Sequence, residues 1–279
     1  MKKILKLFTL ISLLSLTQFS FGKSNQKPFF FLQITDTQMG FISANQNTDE
    51  EIKLYTETVG FINKVKPDFV VITGDFVNNR TDTSQIHAFK KITSLINKKI
   101  PVYLIPGNHD MGQKPTAKHI EFYYQYYDND RFNFIHNNVQ FIGINSCFIN
   151  AGIEEEEIQF NQLKEILESN PKNLSRIVFT HHPFFTQNID EKDSYSNIPQ
   201  PKRSEYMNMF SENNVVAIFA GHYHNNAEGS YKGVSMITTS AVGKQLGQAK
   251  SGFRVIKVYP DSLKHEYIEI ENLPKEIKL

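Results

Sequence analysis

Only one cysteine, Cys147, occurs among the 279 residues, so no internal disulfide can form and the fold must rest on its core and on any metals it holds. Excess charge of one sign is also missing: 30 Lys and Arg face 29 Asp and Glu, a formal net charge of +1. A chain so balanced lacks the broad basic surface that a duplex-binding protein uses against phosphates, and no nucleic-acid partner is expected. There is no internal repeat of 20–50 residues and no linker that would split the chain. Disorder is excluded by composition, with 40% hydrophobic and 13% aromatic residues. The length suits one large α/β domain with a substantial core.

The first residues stand apart. Lys2, Lys3 and Lys6 precede an apolar run over 7–16, and Ser20-Phe21-Gly22 offers small residues, Ser20 and Gly22, around a cleavage point before Lys23. That is the layout of a secretory signal peptide over 1–22, and it predicts a periplasmic or extracellular protein with no stable membrane association after cleavage. An uncleaved anchor is the competing reading. Thr9, Ser12, Ser15 and Gln18 break up the apolar stretch and make it short for a bilayer span. Removing residues 1–22 takes away three lysines and no acid, which moves the formal charge from +1 to −2.

Beyond the leader, 29–34 reads as a buried strand, 50–64 as a helix closed by Pro67, 69–73 as a buried strand, 84–97 as a helix and 102–105 as a third strand. Strands almost wholly apolar and alternating with helices predict a layered α/β architecture with helices on the sheet. The second half is richer in strands, at 132–136, 139–145, 177–180, 215–220, 234–239, 253–259 and 264–270. Helices are expected over 155–168 and 202–212. One long irregular stretch, 186–201, is polar and follows His181 closely; it is read equally as a rim over the site or as a solvated excursion.

Four short segments end strand-like runs with metal-binding side chains. They are Asp36-Thr37-Gln38, Gly74-Asp75, Gly107-Asn108-His109-Asp110 and Gly221-His222-Tyr223-His224, with His181 as a fifth element. Open α/β sheets place their sites at the carboxyl ends of strands, and packing alone does not put these residue types there. Jointly they suit a pair of divalent cations: a carboxylate can bridge two ions, imidazoles suit Zn, Fe or Mn, and an amide oxygen completes a shell. Such a pair activates water and steadies a phosphoryl group under attack, which predicts a binuclear metal-dependent phosphoesterase. His87, His119, His136 and His265 lie outside any motif and are read as surface or core residues. His182 follows His181 directly, and strand alternation predicts that only one of the two reaches the metals. The acids over 154–157 are read as opening a helix, where they complement its dipole.

In order, spacing and strand context, Asp36, Asp75, Asn108, His181, His222 and His224 resemble the calcineurin-like metallophosphoesterase superfamily over about 29–274. The segments 106–111, 115–117, 221–226 and 240–247, with glutamine at Gln38, are similar to a serine/threonine phosphatase branch of that superfamily. The resemblance implies a sandwich of two mixed β-sheets flanked by helices, formed by residues 23–279 as a single metallophosphoesterase domain. It implies two divalent ions (Mn, Fe or Zn), the first among Asp36, Gln38, Asp75 and His224, the second among Asp75, Asn108, His181 and His222. It places the metal ligand two residues before Pro183, at His181. His109 would then stabilise the transferring group or protonate the leaving oxygen, with Asp110 holding its imidazole. The expected substrate is a phosphate monoester, a phosphoprotein or a small phosphorylated molecule. A small-diester phosphodiesterase and a catalytically inactive metal-binding scaffold are the alternatives.

Overall fold

In the computed structural model, which describes residues 16–17, 27–169, 171 and 174–279, β2 (Phe29–Ile34) is buried along its whole length. Alternation sends its side chains to opposite faces. Phe29 and Phe31 enter a core shared with Phe69, Phe141, Phe179 and Phe219. Phe30, Leu32 and Ile34 join a different core with Tyr55, Val59 and Ile62 of α1 (Asp49–Val65) and Ile86 and Phe89 of α2 (Thr83–Thr93). A strand covered on both sides needs apolar residues at every position, which is why the run looks continuous in the sequence.

The first sheet continues through β3 (Val70–Thr73) and β4 (Val102–Ile105), both parallel to β2. On its other side β11 (Gly252–Val258) pairs antiparallel with β2, and β12 (Leu263–Glu269) with β11. A two-residue β1 (Leu16–Thr17) pairs antiparallel with β12. The remainder of the expected leader over 1–22 lies outside the described residues. The second sheet has the order β5 (Phe132–His136), β6 (Val139–Gly143), β7 (Ser175–Phe179), β8 (Val215–Ala220), β10 (Val234–Thr238), β9 (Ala227–Tyr231). Its four inner strands are parallel and its two edges antiparallel.

The sheets face each other through aromatic side chains. Phe31 meets Phe141 edge-on at 5.5 Å between ring centroids and Phe69 meets it at 4.9 Å. Each fully buried Phe contributes about 1.5–3 kcal/mol, and edge-to-face geometry adds about 0.5–1.5 kcal/mol per pair. The outer face of the second sheet is covered by α6 (Glu154–Ser169), through Leu163 and Leu167, and α7 (Lys202–Glu212), through Tyr206, Met207 and Phe210. The layers therefore run helices, sheet, sheet, helices, as the resemblance implied.

Several boundaries differ from the sequence expectations for local reasons. The helix expected over 84–97 ends at Thr93, because Asn63 of α1 accepts from Asn97 N at 2.7 Å and donates to the Leu95 carbonyl at 2.9 Å. The strand expected over 139–145 ends at Gly143; Asn145 instead caps the short α5 (Ser146–Ala151) by accepting from Cys147 N at 3.1 Å. Strand β9 went unanticipated because Ala-Glu-Gly-Ser-Tyr carries little strand propensity. It is held by a hairpin whose turn, Lys232-Gly233, has positive φ at both residues (46° and 84°). Two further helices, α3 (Asn108–Met111) and α4 (Ala117–Tyr126), also lay outside the sequence reading. No helix among the described residues is long and apolar enough to cross a membrane.

Candidate metal centre

Each ligand-type residue sits just past the carboxyl end of a parallel strand: Asp36 and Gln38 after β2, Asp75 after β3, Asn108 after β4, His181 after β7, His222 and His224 after β8. The two sheets meet face to face with these ends on one side, so five loops converge on one small volume. Asp36, Gln38, Asp75, His222 and His224 all have positive φ (52°, 39°, 50°, 66° and 51°). Non-glycine residues hold that conformation at a cost of about 1–3 kcal/mol each, and such strain collects where surrounding structure overdetermines a functional geometry.

The motif glycines are explained by proximity. A Cβ on Gly107 would lie 2.1 Å from Asp75 Oδ1, and one on Gly221 would lie 1.8 Å from Thr35 Oγ1 and 2.6 Å from Asp36 Oδ2. Neither loop could close on its neighbour with a side chain there.

Asp36, Asp75 and His224 form a buried group whose ligand atoms lie within 4.8 Å of one another. Asp36 Oδ2 is occupied, accepting from Thr35 Oγ1 at 2.6 Å and from His222 N at 3.0 Å. Its Oδ1 is buried without a hydrogen-bond partner, 3.3 Å from His224 Nε2. Gln38 Oε1 is likewise buried and unpartnered, while its Nε2 faces Asn78 Oδ1 at 3.4 Å. Orphaned buried oxygens are costly in a folded protein, and two of them beside a carboxylate pair are what a cation would relieve.

The second group is rich in imidazole. His181 Nε2 lies 3.1 Å from Asn108 Oδ1 and 3.4 Å from Asp75 Oδ2. Its Nδ1 donates to the Thr73 carbonyl at 2.8 Å. His224 Nδ1 donates to the Lys244 carbonyl in the same manner. In both rings Nε2 is thereby left as the nitrogen available to a cation, and the Nδ1 contact is the outer support that ligating histidines usually have. His222 reverses the pattern: Nε2 donates to the Tyr195 carbonyl at 2.8 Å, which leaves Nδ1. Asp75 stands between the groups, and its Oδ1 also accepts from His109 N at 2.8 Å.

Charge is balanced within the cluster. Burial drives the Asp75 carboxyl upward, but the facing His181, His109 and His222 rings outweigh it and hold the net value below the usual carboxylate range. Asp36 is lowered similarly, with His224 opposing burial. Burial alone would depress His181, yet the Asp75 charge prevails and raises it to about 9. His222 is depressed to about 4 by burial and by the neighbouring His181.

Two sequence expectations are corrected. Asp110 does not hold the His109 ring: its carboxylate accepts from Gly107 N at 2.8 Å, Phe76 N at 2.9 Å and Val77 N at 3.3 Å, tying the β3 and β4 loops together. The His109 ring is oriented instead by Nδ1 against the Asn78 carbonyl at 2.8 Å. His182, expected to face away, is fully buried and packs on His222 at 4.3 Å between ring centroids. Both histidines lie beyond the end of β7, where pleat alternation no longer applies, and Ser146 Oγ accepts from both of their backbone amides. His182 Nε2 has no partner, and the ring joins His181 and His222 in a second ligand group within 4.8 Å.

The stretch 186–201 is a rim. Tyr195 from this loop accepts from Asn108 Nδ2 at 3.2 Å through its hydroxyl. Neither Tyr195 nor Asn78 carries a pattern in the sequence; closeness to His181 was the single hint for the loop. The other histidines lie elsewhere: His136 pairs with Asp68 at 2.9 Å, His265 packs against Arg254 at 2.8 Å and His119 contacts Arg80 at 3.2 Å.

Comparison with known proteins agrees with this geometry. The family model described as calcineurin-like phosphoesterase matches residues 31–226. The chain belongs to that family. It is 34% identical over 269 residues to the rat (Rattus norvegicus) protein named serine/threonine-protein phosphatase CPPED1, covering 89% of this chain and 86% of that one. An Arcobacter nitrofigilis protein named probable glycerophosphodiester phosphodiesterase GpdQ is 24% identical over 225 residues, 77% of this chain and 79% of that one. Among solved structures, a dimetal phosphatase from Danio rerio superposes with a TM-score of 0.65 at 15% identity, covering 86% of this chain and 97% of that chain. The fold is that of the metallo-dependent phosphatases. The protein is a metal-dependent phosphoric ester hydrolase with a binuclear divalent metal centre, and a phosphate ester is its substrate.

Proposed function

We propose that this enzyme is exported and hydrolyses phosphate monoesters, carried by a phosphoprotein or by small phosphorylated molecules. The two ion positions are assigned to Asp36, Gln38, Asp75 and His224, and to Asp75, Asn108, His181 and His222. The donor set fits: carboxylate and amide oxygens with imidazole nitrogens suit Mn, Fe or Zn, and the orphaned oxygens of Asp36 and Gln38 point to a cation. When bound, such a pair supplies Lewis acidity toward the phosphoryl oxygens and lowers the pKa of water.

The chain's own residues do the rest. Asp75 would be shared by both positions, with its Oδ1 anchored by the His109 backbone amide and its Oδ2 beside His181. His109 is half-buried beside Asp75, and with Nδ1–H held by Asn78 its Nε2 is the nitrogen free to exchange a proton with the leaving oxygen. Asp110 supports this indirectly by pinning the turn that carries His109.

The observation that carries the monoester reading is the charge at the mouth. Lys244 lies with Nζ 5.1 Å from the Phe41 ring, which in turn stands 5.5 Å from His224. A cation there adds most to a dianionic monoester and less to a singly charged diester. The likeness to a serine/threonine-protein phosphatase supports the same side, and the weaker likeness to a glycerophosphodiester phosphodiesterase keeps the diester as the second reading. Turnover of p-nitrophenyl phosphate beside bis-p-nitrophenyl phosphate tests it; a strong preference for the diester would reverse the assignment. Export rests on the basic and apolar layout of residues 1–22. Fractionation with amino-terminal sequencing should find the mature chain starting near Lys23, outside the cytoplasm.

A further inference from the structure

We infer that the 186–201 loop is a clamp on the second ion position, acting through Tyr195 as a positioning residue. The inference rests on the binuclear assignment made above. Tyr195 touches two proposed ligands of that position in two different ways. Its hydroxyl accepts from Asn108 Nδ2 at 3.2 Å, which turns Asn108 Oδ1 inward to 3.1 Å from His181 Nε2. Its backbone carbonyl accepts from His222 Nε2 at 2.8 Å, which fixes the tautomer that leaves Nδ1 as a donor to an ion. Its ring lies on the His222 ring at 4.8 Å between centroids.

The amide end matters because only the carbonyl of Asn can bind a cation; a flipped Asn108 would present two N–H groups. A phenol oxygen as acceptor on the far side opposes that flip. The hydrogen bonds of Tyr195 go to Asn108 and His222, both proposed for the second position.

The loop is built to hold its tip without help from Tyr195. The Glu191 carboxylate accepts from Thr186 N at 2.8 Å, Gln187 N at 2.9 Å and Asn197 Nδ2 at 2.6 Å. Arg203 of α7, fully buried, donates to the carbonyls of Ile198, Ile189 and Glu191 and pairs with Asp193 at 3.0 Å. Tyr195 itself is 62% exposed. A large ring left that open adds little to the core, so its position is explained by the groups it orients.

The test is Mn(II) binding to the metal-free full chain, followed by calorimetry and by the electron paramagnetic resonance of free Mn(II), for wild type and Tyr195→Phe. The Phe variant keeps the ring and the backbone carbonyl and removes only the acceptor on Asn108. Expected is a first binding step within about twofold of wild type and a second step weakened roughly 10-fold or more, in line with the loss of an outer partner of a metal ligand. Tyr195→Ala, which also removes the ring from His222, should weaken the second step further. An unchanged second step in both variants, or an equal fall of both steps, would overturn the clamp while leaving the binuclear assignment intact. Wild-type protein that binds fewer than two ions would overturn both.

Discussion

Around the proposed first ion position stand two carboxylates, an amide and one imidazole; around the proposed second stand His181, His222 and the adjoining His182, with Asn108 and Asp75, which the proposal shares between the two. The first is built largely from the loop after β2, on the edge of one sheet's parallel strands. The second draws most of its nitrogen from the other sheet, and a separate loop supports it from outside. Oxygen-rich shells favour harder cations and imidazole-rich shells favour borderline ones, so the two positions should differ in metal preference and in how firmly they hold. Glutamine at Gln38, where an imidazole would have evened the two, accentuates the contrast.

The largest way to break this comparison is to remove what the positions share. Asp75→Asn should leave fewer than two ions per chain by elemental analysis and reduce turnover to near background. Two retained ions would end the bridging assignment. His109→Ala should separate holding from chemistry, lowering turnover by about two to four orders of magnitude with both ions kept. Equal activity in that variant removes His109 from proton transfer.

Gln38→Ala should weaken the first binding step by roughly 10-fold or more and leave the second alone, the mirror image of the Tyr195 variants. Gln38→His should shift the first position toward Zn in a Mn–Zn competition; an unchanged selectivity would place Gln38 outside the shell.

A smaller effect concerns the metal-free chain and pH. His222, depressed to about 4 from an ordinary 6.5, binds its proton less readily folded than unfolded, so it makes stability rise as pH climbs from about 4 to 6.5. His181, raised to about 9 from 6.5, contributes stability that is complete below 6.5 and lost as pH rises through 9. Melting temperature without metal should therefore peak near pH 6.5. Saturating metal should reverse the upper limb, because ions bind deprotonated ligands and release protons. A metal-free melting temperature still climbing from pH 6.5 to 9 would show that the buried imidazole–carboxylate pairing is not what balances the cluster.

Much of the site was legible because strand ends announce themselves. Runs such as 29–34 and 69–73 are apolar throughout, and the polar residue that ends each one, Asp36 or Asp75, stands out against them. What escaped were contacts made by residues without periodicity. Asn78 and Tyr195 lie in loops, Asn145 looked like the end of a strand, and His182 followed an alternation rule past the strand that sustains it. Asp110 was legible as part of a motif but its task was not, since three backbone amides from two loops reach it only after folding.

The order of metal-binding residues, the strand–helix alternation and the near-zero net charge are properties of the chain read end to end, and they were enough to set the family, the α/β layering and the class of chemistry. Tertiary structure alone decided which histidine nitrogen faces inward, which way Asn108 turns and that His182 joins the cluster. Those outcomes depend on partners distant along the chain, as with Asn108 and Tyr195 or His181 and Thr73. Side-chain type is local, whereas orientation in a buried polar site is set by whichever distant donor or acceptor packing brings within about 3 Å.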